Sequence, residues 1–352
     1  MLFDAFKIRD IVFKNRIAVS PMCQYSSVDG FANDWHLVHL GSRAVGGAAL
    51  VMTEAAAVEA RGRISPQDLG LWKDEHVPFL KKITDFIKGQ NAVPGIQLAH
   101  AGRKASVTRP WDGDSPLGEA GGGWQAAAPS AVRFGAGSQV PYALTLEEIS
   151  AIPGLFAAAA GRALAAGFQV VELHAAHGYL LHEFLSPVAN KRADAYGGEF
   201  KNRARLALET ARAVRKVWPA GFPLFMRISA TDWLGDGAWD IAQSVELARA
   251  LKNEGVDLVD CSSGAIAPDV AIPAGPGFQV PFAERIRREA GIPTGAVGFI
   301  VSPEQAETIV RTGQADLVLL GREYLRDPYW ALHAAPRLHV KVPPPPQYLR
   351  AL

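Results

Sequence analysis

Eight short apolar runs recur along this sequence, and their spacing leaves room for a helix between each pair. The runs lie near residues 16–20, 48–53, 93–98, 169–173, 223–228, 257–261, 293–297 and 315–320. Each run is apolar almost throughout, which is typical of a strand that helices cover on both faces. This alternation constrains the fold strongly, because parallel strands joined by helices form either a closed barrel or an open doubly wound sheet.

The segments between the runs have the periodicity of amphipathic helices. They cover residues 74–88, 145–166, 201–217, 240–254, 279–290 and 302–312. Gly167, Gly255 and Gly313 each close a helical pattern and open an apolar run. Because glycine adopts the left-handed backbone that ends many helices, the chain uses the same helix-to-strand junction three times.

The number of strands favours the closed barrel. Such a barrel needs about 250 residues, and the chain has 352. A doubly wound sheet usually carries Gly-x-Gly-x-x-Gly after its first strand, and no such motif follows the first run. We therefore predict an α/β fold with a single (β/α)8 TIM barrel over residues 1–340. Residues 103–144 are expected to form a capping insertion after the third strand, and the proline-rich residues 341–352 a stiff extended arm.

The composition excludes several classes of partner. The net charge is +1, so no general attraction to nucleic acid or anionic membranes is expected. Cys23 and Cys261 are the only cysteines and provide no disulfide framework. The N-terminus carries charges too early for a signal peptide, and no apolar run approaches the roughly 18 residues of a membrane span. The expectation is a cytoplasmic protein that acts on small molecules.

Two imidazoles and a phenol stand close together at His174, His177 and Tyr179, where an apolar run meets a polar turn. Imidazoles can hydrogen-bond a substrate oxygen, and a phenol can give up a proton at neutral pH. The group therefore favours a site that polarises a carbonyl and protonates a neighbouring carbon. A His-x-x-His pair is also a zinc fragment, but no third ligand stands at a recognised spacing, so no metal is predicted. Two purely structural histidines remain an alternative.

Functional side chains of a parallel barrel come from the carboxyl ends of its strands. Polar residues or glycines stand at that end of all eight runs: Ser20–Tyr25, Glu54–Ala55, Gln97–His100, His174–His177, Arg227, Ser262–Gly264, Gly295–Gly298 and Gly321–Arg322. Glycines after the last two strands allow backbone N–H groups to approach a phosphate closely. Arg322 would add a positive charge there.

Six motifs together resemble the old yellow enzyme family of flavin reductases, and most closely its bacterial xenobiotic-reductase and thermophilic-like branch. They are Ser20-Pro-Met-Cys23-x-Tyr25, Gln97 to Lys104, His174-Ala-Ala-His177-Gly-Tyr179, Arg192-x-Asp194-x-Tyr196-Gly-Gly198, Asn202-Arg203 and Leu320-Gly-Arg322. The resemblance extends from Asn15 to Arg350. It implies tight, non-covalent FMN at the strand ends, reduced by NADPH or NADH.

The resemblance also implies a role for each motif residue. Ser20, Pro21, Met22 and Cys23 would contact the flavin ring and its side chain. Ala55 and Gln97 would contact the pyrimidine edge of the ring, and Arg227 would lie beside N1. Gly298, Gly321 and Arg322 would bind the phosphate. Cys23 would also tune the redox behaviour of the flavin. A guanidinium beside N1 makes physical sense, because two-electron reduction leaves negative charge there.

The implied reaction reduces activated C=C bonds of α,β-unsaturated carbonyl, imide or nitro compounds by hydride transfer from flavin N5. His174 and His177 would bind the substrate oxygen, Tyr179 would donate the proton, and Tyr25 would orient the substrate. In the thermophilic-like branch an arginine near the C-terminus enters the neighbouring subunit's active site. Arg350 matches it, so a dimer or tetramer is expected.

Two departures limit what the resemblance implies about substrates. Val297 stands where the xenobiotic reductases have a tryptophan, whereas the long insertion after Lys104 is like theirs. Other interpretations are a dienoyl-CoA or nitro-compound reductase, a flavin-free isomerase or aldolase barrel using Lys104 or Glu54, and a non-catalytic flavin-binding protein. The larger dienoyl-CoA reductases need an iron–sulfur cysteine cluster, which two cysteines cannot provide.

Overall fold

A computed structural model of the protein describes residues 1–350, and eight parallel strands in it close into a barrel. The strands are β1 (Ile17–Val19), β2 (Leu50–Ala57), β3 (Val93–Ala99), β4 (Val170–Ala175), β5 (Leu224–Ser229), β6 (Leu258–Ser262), β7 (Thr294–Ala296) and β8 (Leu317–Leu320). Each strand pairs with its neighbour in sequence, and β8 pairs with β1. The predicted (β/α)8 TIM barrel is confirmed.

Helices follow every strand and cover the outside of the barrel. They are α1 (Asp34–Val45), α2 (Val77–Gly89), α3 (Leu146–Ala165), α4 (Leu180–Leu185), α5 (Phe200–Arg203), α6 (Arg205–Val217), α7 (Ile241–Asn253), α8 (Val280–Ala290), α9 (Pro303–Arg311), α10 (Arg322–Arg326) and α11 (Trp330–Arg337). The segment predicted as one helix over 201–217 divides at Ala204 into α5 and α6. Within residues 1–350, none of these helices has both the length and the apolar character for crossing a membrane.

The interior of the barrel is apolar at its amino end. Side chains alternate between the interior and the helix layer along each strand, and the interior ones form one buried cluster that includes Leu50, Val170, Phe225 and Leu258. An antiparallel hairpin, Phe6–Ile8 with Ile11–Phe13, covers this end. The interior is therefore apolar at the amino end, and its polar residues lie towards the carboxyl end.

Strand β2 is longer than the sequence indicates. Glu54 and Ala55 were expected to follow the strand, but Leu50–Ala57 runs past both of them. The pairing of β2 with β3 shifts register between Met52 and Ala55. Glu54 is buried on the side of β2 that meets helix α1, where its Oε1 lies 3.0 Å from His36 Nε2 and its Oε2 accepts the backbone N–H of Gln24, so its charge does not end the strand.

The segment 103–144 leaves the barrel at the carboxyl end of β3 and carries short 3-10 turns. Two short strands in it, Ala127–Ala128 and Tyr142–Ala143, pair in parallel. The buried Arg103 guanidinium donates to the carbonyl oxygens of Val132, at 3.2 Å, and of Ile266. Arg103 therefore ties the insertion to the loop that follows β6.

The C-terminal segment differs in part from the expected arm. Pro346–Tyr348 form a 3-10 turn rather than extended chain. Pro343–Pro346 lie beside Lys14, Asn15 and Gly47, which precede β1 and β2. The segment therefore covers the amino end of the barrel, opposite the strand ends with the motif residues. Residues 351 and 352 of the predicted arm lie outside the described residues.

Candidate active site

The two motif histidines meet at the carboxyl end of β4. The ring centroids of His174 and His177 are 5.1 Å apart, and the rings are nearly perpendicular. His177 has a positive φ of 58°, and its backbone N–H donates to Ser229 Oγ at 2.9 Å. The next residue, Gly178, also has a positive φ, and a Cβ there would lie 2.2 Å from the carbonyl oxygen of Ala265. The turn after His177 therefore requires glycine.

The protonation state of His174 follows from one backbone contact. The N–H of Ala176 donates to Nδ1 of His174 at 3.2 Å, so Nδ1 is an acceptor and the neutral ring carries its proton on Nε2. Burial lowers the pKa of both imidazoles well below the usual value, and the positive charge of Arg227 lowers it further. His174 is therefore a neutral hydrogen-bond donor. Nε2 of His177 lies 2.7 Å from Ser262 Oγ.

Tyr179 lies directly beside the histidine pair. Its ring meets that of His174 edge to face, with centroids 4.9 Å apart. Burial raises the pKa of the Tyr179 hydroxyl well above its usual value, so the group remains a protonated acid. The Lys104 ammonium lies 5.1 Å from the centroid of the Tyr179 ring and donates to the carbonyl oxygen of His177 at 3.0 Å. Burial lowers the pKa of Lys104 to about 8.

Cys23 and Tyr25 follow β1 and pack in the same small cluster as Tyr179. Burial raises the pKa of the Cys23 thiol well above its usual value, and the carboxylates of Asp68 and Glu54 raise it further. The thiol is therefore protonated. Glu54 also positions this loop, because its Oε2 accepts the backbone N–H of Gln24 at 2.8 Å.

Four polar side chains form a layer inside the barrel beneath these residues. Gln97 Nε2 donates to Glu172 Oε1 at 2.8 Å, and Arg227 Nε lies 3.1 Å from Asp260 Oδ2. All four are buried, and Arg227 Nε has no hydrogen-bond acceptor of suitable geometry within residues 1–350. A buried guanidinium and a buried amide at the strand ends fit the polar edge of a flavin, where oxygen and nitrogen atoms gain negative charge on reduction.

The predicted phosphate residues gather at the ends of β7, β8 and β1. Gly298 has a φ of 120°, and a Cβ there would lie 2.7 Å from Gln279 Nε2. A Cβ on Gly321 would lie 3.7 Å from Met22 Sδ and 3.9 Å from Ser20 Cβ, so this glycine borders the β1 loop. The exposed Arg322 guanidinium lies 4.2 Å from the Phe299 ring centroid. Glycine backbone that a phosphate can approach closely, together with one exposed cation, fits the binding of a phosphate group.

A cleft of about 500 Å³ opens above the tyrosines. Tyr25, Tyr179 and Lys104 line one side of it, and the segments 107–116 and 134–139 of the insertion line the other. Trp111, which is exposed, meets Tyr25 edge to face at 5.7 Å between centroids. The cleft gives a small molecule access to both phenols from solvent.

The structure brings together the predicted site residues with one exception. Arg350 is exposed in the segment at the opposite end of the barrel, so it does not reach the site within one chain. Ser262 was predicted at the end of its strand, but the polar partners Glu172, Asp260 and Gln279 were not predicted as members of the site. A carboxylate within an apolar strand, as at Glu172 and Asp260, is the signal that would have found two of them.

Comparisons with known proteins find similarity over almost the whole chain. A model of the NADH:flavin oxidoreductase / NADH oxidase family matches residues 1–340. The chain is 47% identical to the NADPH dehydrogenase of Bacillus velezensis over 352 residues, covering 99% of this chain and 98% of that protein. It is 48% identical to the NADPH dehydrogenase of Geobacillus thermodenitrificans, with the same two coverages of 99% and 98%. Morphinone reductase in complex with tetrahydroNAD has a TM-score of 0.79 and 25% identity, covering 98% of this chain and 93% of that chain.

Proposed function

Because the chain belongs to the NADH:flavin oxidoreductase / NADH oxidase family, we propose that it is an ene-reductase. It is an FMN-dependent NAD(P)H oxidoreductase of the old yellow enzyme type. The proposed second substrate is an α,β-unsaturated carbonyl, imide or nitro compound, whose C=C bond is reduced. Xenobiotic compounds of this kind and a cytoplasmic location are part of the proposal.

The neutral histidine pair is the observation that carries this proposal. His174 offers an Nε2–H donor because its Nδ1 accepts from Ala176, and His177 lies 5.1 Å away, ring to ring. Nε2 of His177 lies 2.7 Å from Ser262 Oγ, so His177 would donate through Nδ1, with Nε2 accepting from the serine hydroxyl. Two such neutral donors on one substrate oxygen would draw electron density from a conjugated C=C bond without adding a charge to the site. Such placed donors stabilise the developing negative charge on that oxygen.

The residues that would hold FMN surround this pair. Gln97 and Arg227 would bind the pyrimidine edge, the β1 loop Ser20–Cys23 and Ala55 the ring, and Gly298, Gly321 and Arg322 the phosphate. When bound there, FMN would supply the hydride chemistry that links oxidation of NAD(P)H to reduction of the second substrate at its β-carbon. Cys23 would adjust the redox behaviour of the flavin as a protonated thiol.

Tyr179 would complete the reaction by protonating the α-carbon. Its hydroxyl is kept in the acid form by burial, and its ring lies against His174. A substrate whose oxygen is bound by the two histidines would therefore lie next to the Tyr179 hydroxyl. Tyr25, which lines the cleft together with Tyr179, would orient the same substrate.

Self-association is a second part of the proposal. The C-terminal segment lies at the amino end of its own barrel, so Arg350 can contribute only to the active site of another copy. A dimer or a tetramer would place it there. The site would then take its last substrate contact from a partner.

The proposed activity is tested by the visible spectrum of the purified enzyme. We expect a yellow protein that NADPH bleaches in the absence of oxygen and that cyclohexenone returns to its oxidised spectrum. Bleaching without recovery by any enone, imide or nitroalkene would contradict the proposal. A colourless protein that binds no added FMN would contradict the cofactor as well.

A further inference from the structure

The interior of the barrel carries two carboxylates and one cation directly below the site. Val170, Glu172 and His174 alternate along β4, so Glu172 faces the interior between an apolar residue and the catalytic imidazole. Asp260 lies opposite Arg227 in the pairing of β6 with β5. Both acids are fully buried, at 0% exposure.

The single cation is paired with only one of these acids. Arg227 Nε lies 3.1 Å from Asp260 Oδ2, whereas Glu172 accepts its hydrogen bond from the neutral amide of Gln97. Oε2 of Glu172 has no hydrogen-bond partner within residues 1–350, and neither has Oδ1 or Oδ2 of Asp260, but Asp260 alone of the two acids has a cation at ion-pair distance. A carboxylate that is buried without a cation contact is strongly disfavoured, and such a group takes up a proton instead.

The titration behaviour agrees with this division. Burial raises the pKa of Glu172 to about 8, the charge of Asp260 raises it further, and Arg227 opposes the rise. Burial also raises the pKa of Asp260, but there the guanidinium at ion-pair distance acts against it. The favoured state has a protonated Glu172 beside an ion pair of Arg227 with Asp260, and no net charge.

We propose that Asp260 is a positioning residue that sets the reduction potential of the bound FMN by neutralising Arg227, and that Glu172 is held neutral beneath the same site. A fully uncompensated guanidinium would strongly favour the reduced flavin, because reduction adds negative charge at the edge that Arg227 would contact. The Asp260 carboxylate weakens that preference. The potential then remains low enough for the reduced flavin to pass on its hydride.

Isosteric variants separate the two acids. Asp260→Asn removes a negative charge, so the two-electron midpoint potential of the bound FMN should rise by about 30 mV or more, which is tenfold in the equilibrium constant of a two-electron couple. Glu172→Gln replaces a neutral acid by a neutral amide. It should shift the midpoint potential by less than a third of the shift expected for Asp260→Asn. Asp260→Glu keeps the charge and should stay as close to the wild type as Glu172→Gln.

The experiment is anaerobic reduction of the holoenzymes against a reference dye, with thermal unfolding recorded for each variant. An equal shift in Glu172→Gln and Asp260→Asn would overturn the proposal, because Glu172 would then be charged. Variants that lose thermal stability while their potentials are unchanged would also overturn it, since both acids would then be merely structural. The inference rests on FMN binding alone, and no enone is present, so the result is independent of the proposed ene-reductase activity.

Discussion

The rings of His174 and Tyr179 meet edge to face, with 4.9 Å between their centroids. This contact places the imidazole that we propose binds the substrate next to the protonated phenol that we propose donates the proton. Since the two residues are separated by a turn that only glycine can complete at Gly178, their relative position is a property of the backbone. In the proposed reaction, a substrate oxygen bound to the imidazole would therefore have the Tyr179 hydroxyl close to its α-carbon.

Replacing Tyr179 by phenylalanine tests the proton donor. Tyr179→Phe should leave reduction by NADPH unchanged and slow the reduction of cyclohexenone on the order of 10²-fold, the usual contribution of a placed general acid. Stopped-flow measurement of the two half-reactions separates these effects. A quinone, which needs no proton on carbon, is the internal control and should be reduced at the wild-type rate. Equal slowing of both acceptors would contradict the assigned role.

The protonated state of Cys23 predicts a weakly reactive thiol. Because burial and two nearby carboxylates raise its pKa, little thiolate is present at pH 8. Iodoacetamide should therefore alkylate Cys23 in the native enzyme at less than about a tenth of the rate of free cysteine. Mass spectrometry of the digested protein measures the rate, and the unfolded chain is the control. Rapid native alkylation would show that the thiol is ionised.

The stability of the enzyme should fall with rising pH because of Glu183. Burial raises its pKa to about 8, against the opposing charge of Arg103, while an unfolded glutamate titrates near about 4.3. The folded state therefore binds the Glu183 proton more tightly than the unfolded chain does. The stabilisation that this proton provides is fully present below about pH 4.3 and declines until it is lost as the pH rises through 8. The loss is at most about 1.4 kcal/mol per pH unit.

Glu183→Gln removes this dependence, since the amide keeps an oxygen for the backbone N–H of Arg103. Thermal unfolding between pH 5 and pH 9 should show a smaller decline for the variant than for the wild type. Glu246→Gln, at an exposed position, is the matched control and should follow the wild type. Parallel curves for all three proteins would mean that Glu183 does not carry the titration.

Arg350→Ala tests the contribution of a partner chain. If Arg350 completes the site of another copy, its loss should raise the KM for cyclohexenone several-fold while the rate of flavin reduction changes little. Arg288→Ala, which removes an exposed arginine of α8, is the control. Identical kinetics for the two variants and the wild type, or a strictly monomeric enzyme, would show that residues near the C-terminus have no part in the site.

Much of the site could be predicted because its residues lie in short contiguous motifs. His174, His177 and Tyr179 are neighbours in sequence, and the barrel rule alone places them with Cys23 and Arg227 at the carboxyl ends of the strands. The strand runs were also readable, since each is buried on both faces.

The polar contacts beneath the site could not be predicted in the same way. Arg227 and Asp260 are opposite each other only because β5 and β6 pair in one particular register, and a sequence does not specify register between distant strands. The predicted end of β2 was wrong for a related reason. Glu54 resembled the first residue of a loop, but one hydrogen bond from the neighbouring β1 loop and the close contact with His36 of α1 allow it to lie buried within the strand.

The histidine pair is tested most directly by a single turnover. Enzyme reduced with dithionite is mixed with cyclohexenone without oxygen, and both flavin reoxidation and cyclohexanone are measured, for the wild type and for the His174→Ala, His177→Ala double variant. We expect one cyclohexanone per flavin from the wild type, and a double variant that binds FMN but reacts on the order of 10²-fold more slowly or worse. Reoxidation without cyclohexanone, or equal rates in the two proteins, would contradict the account.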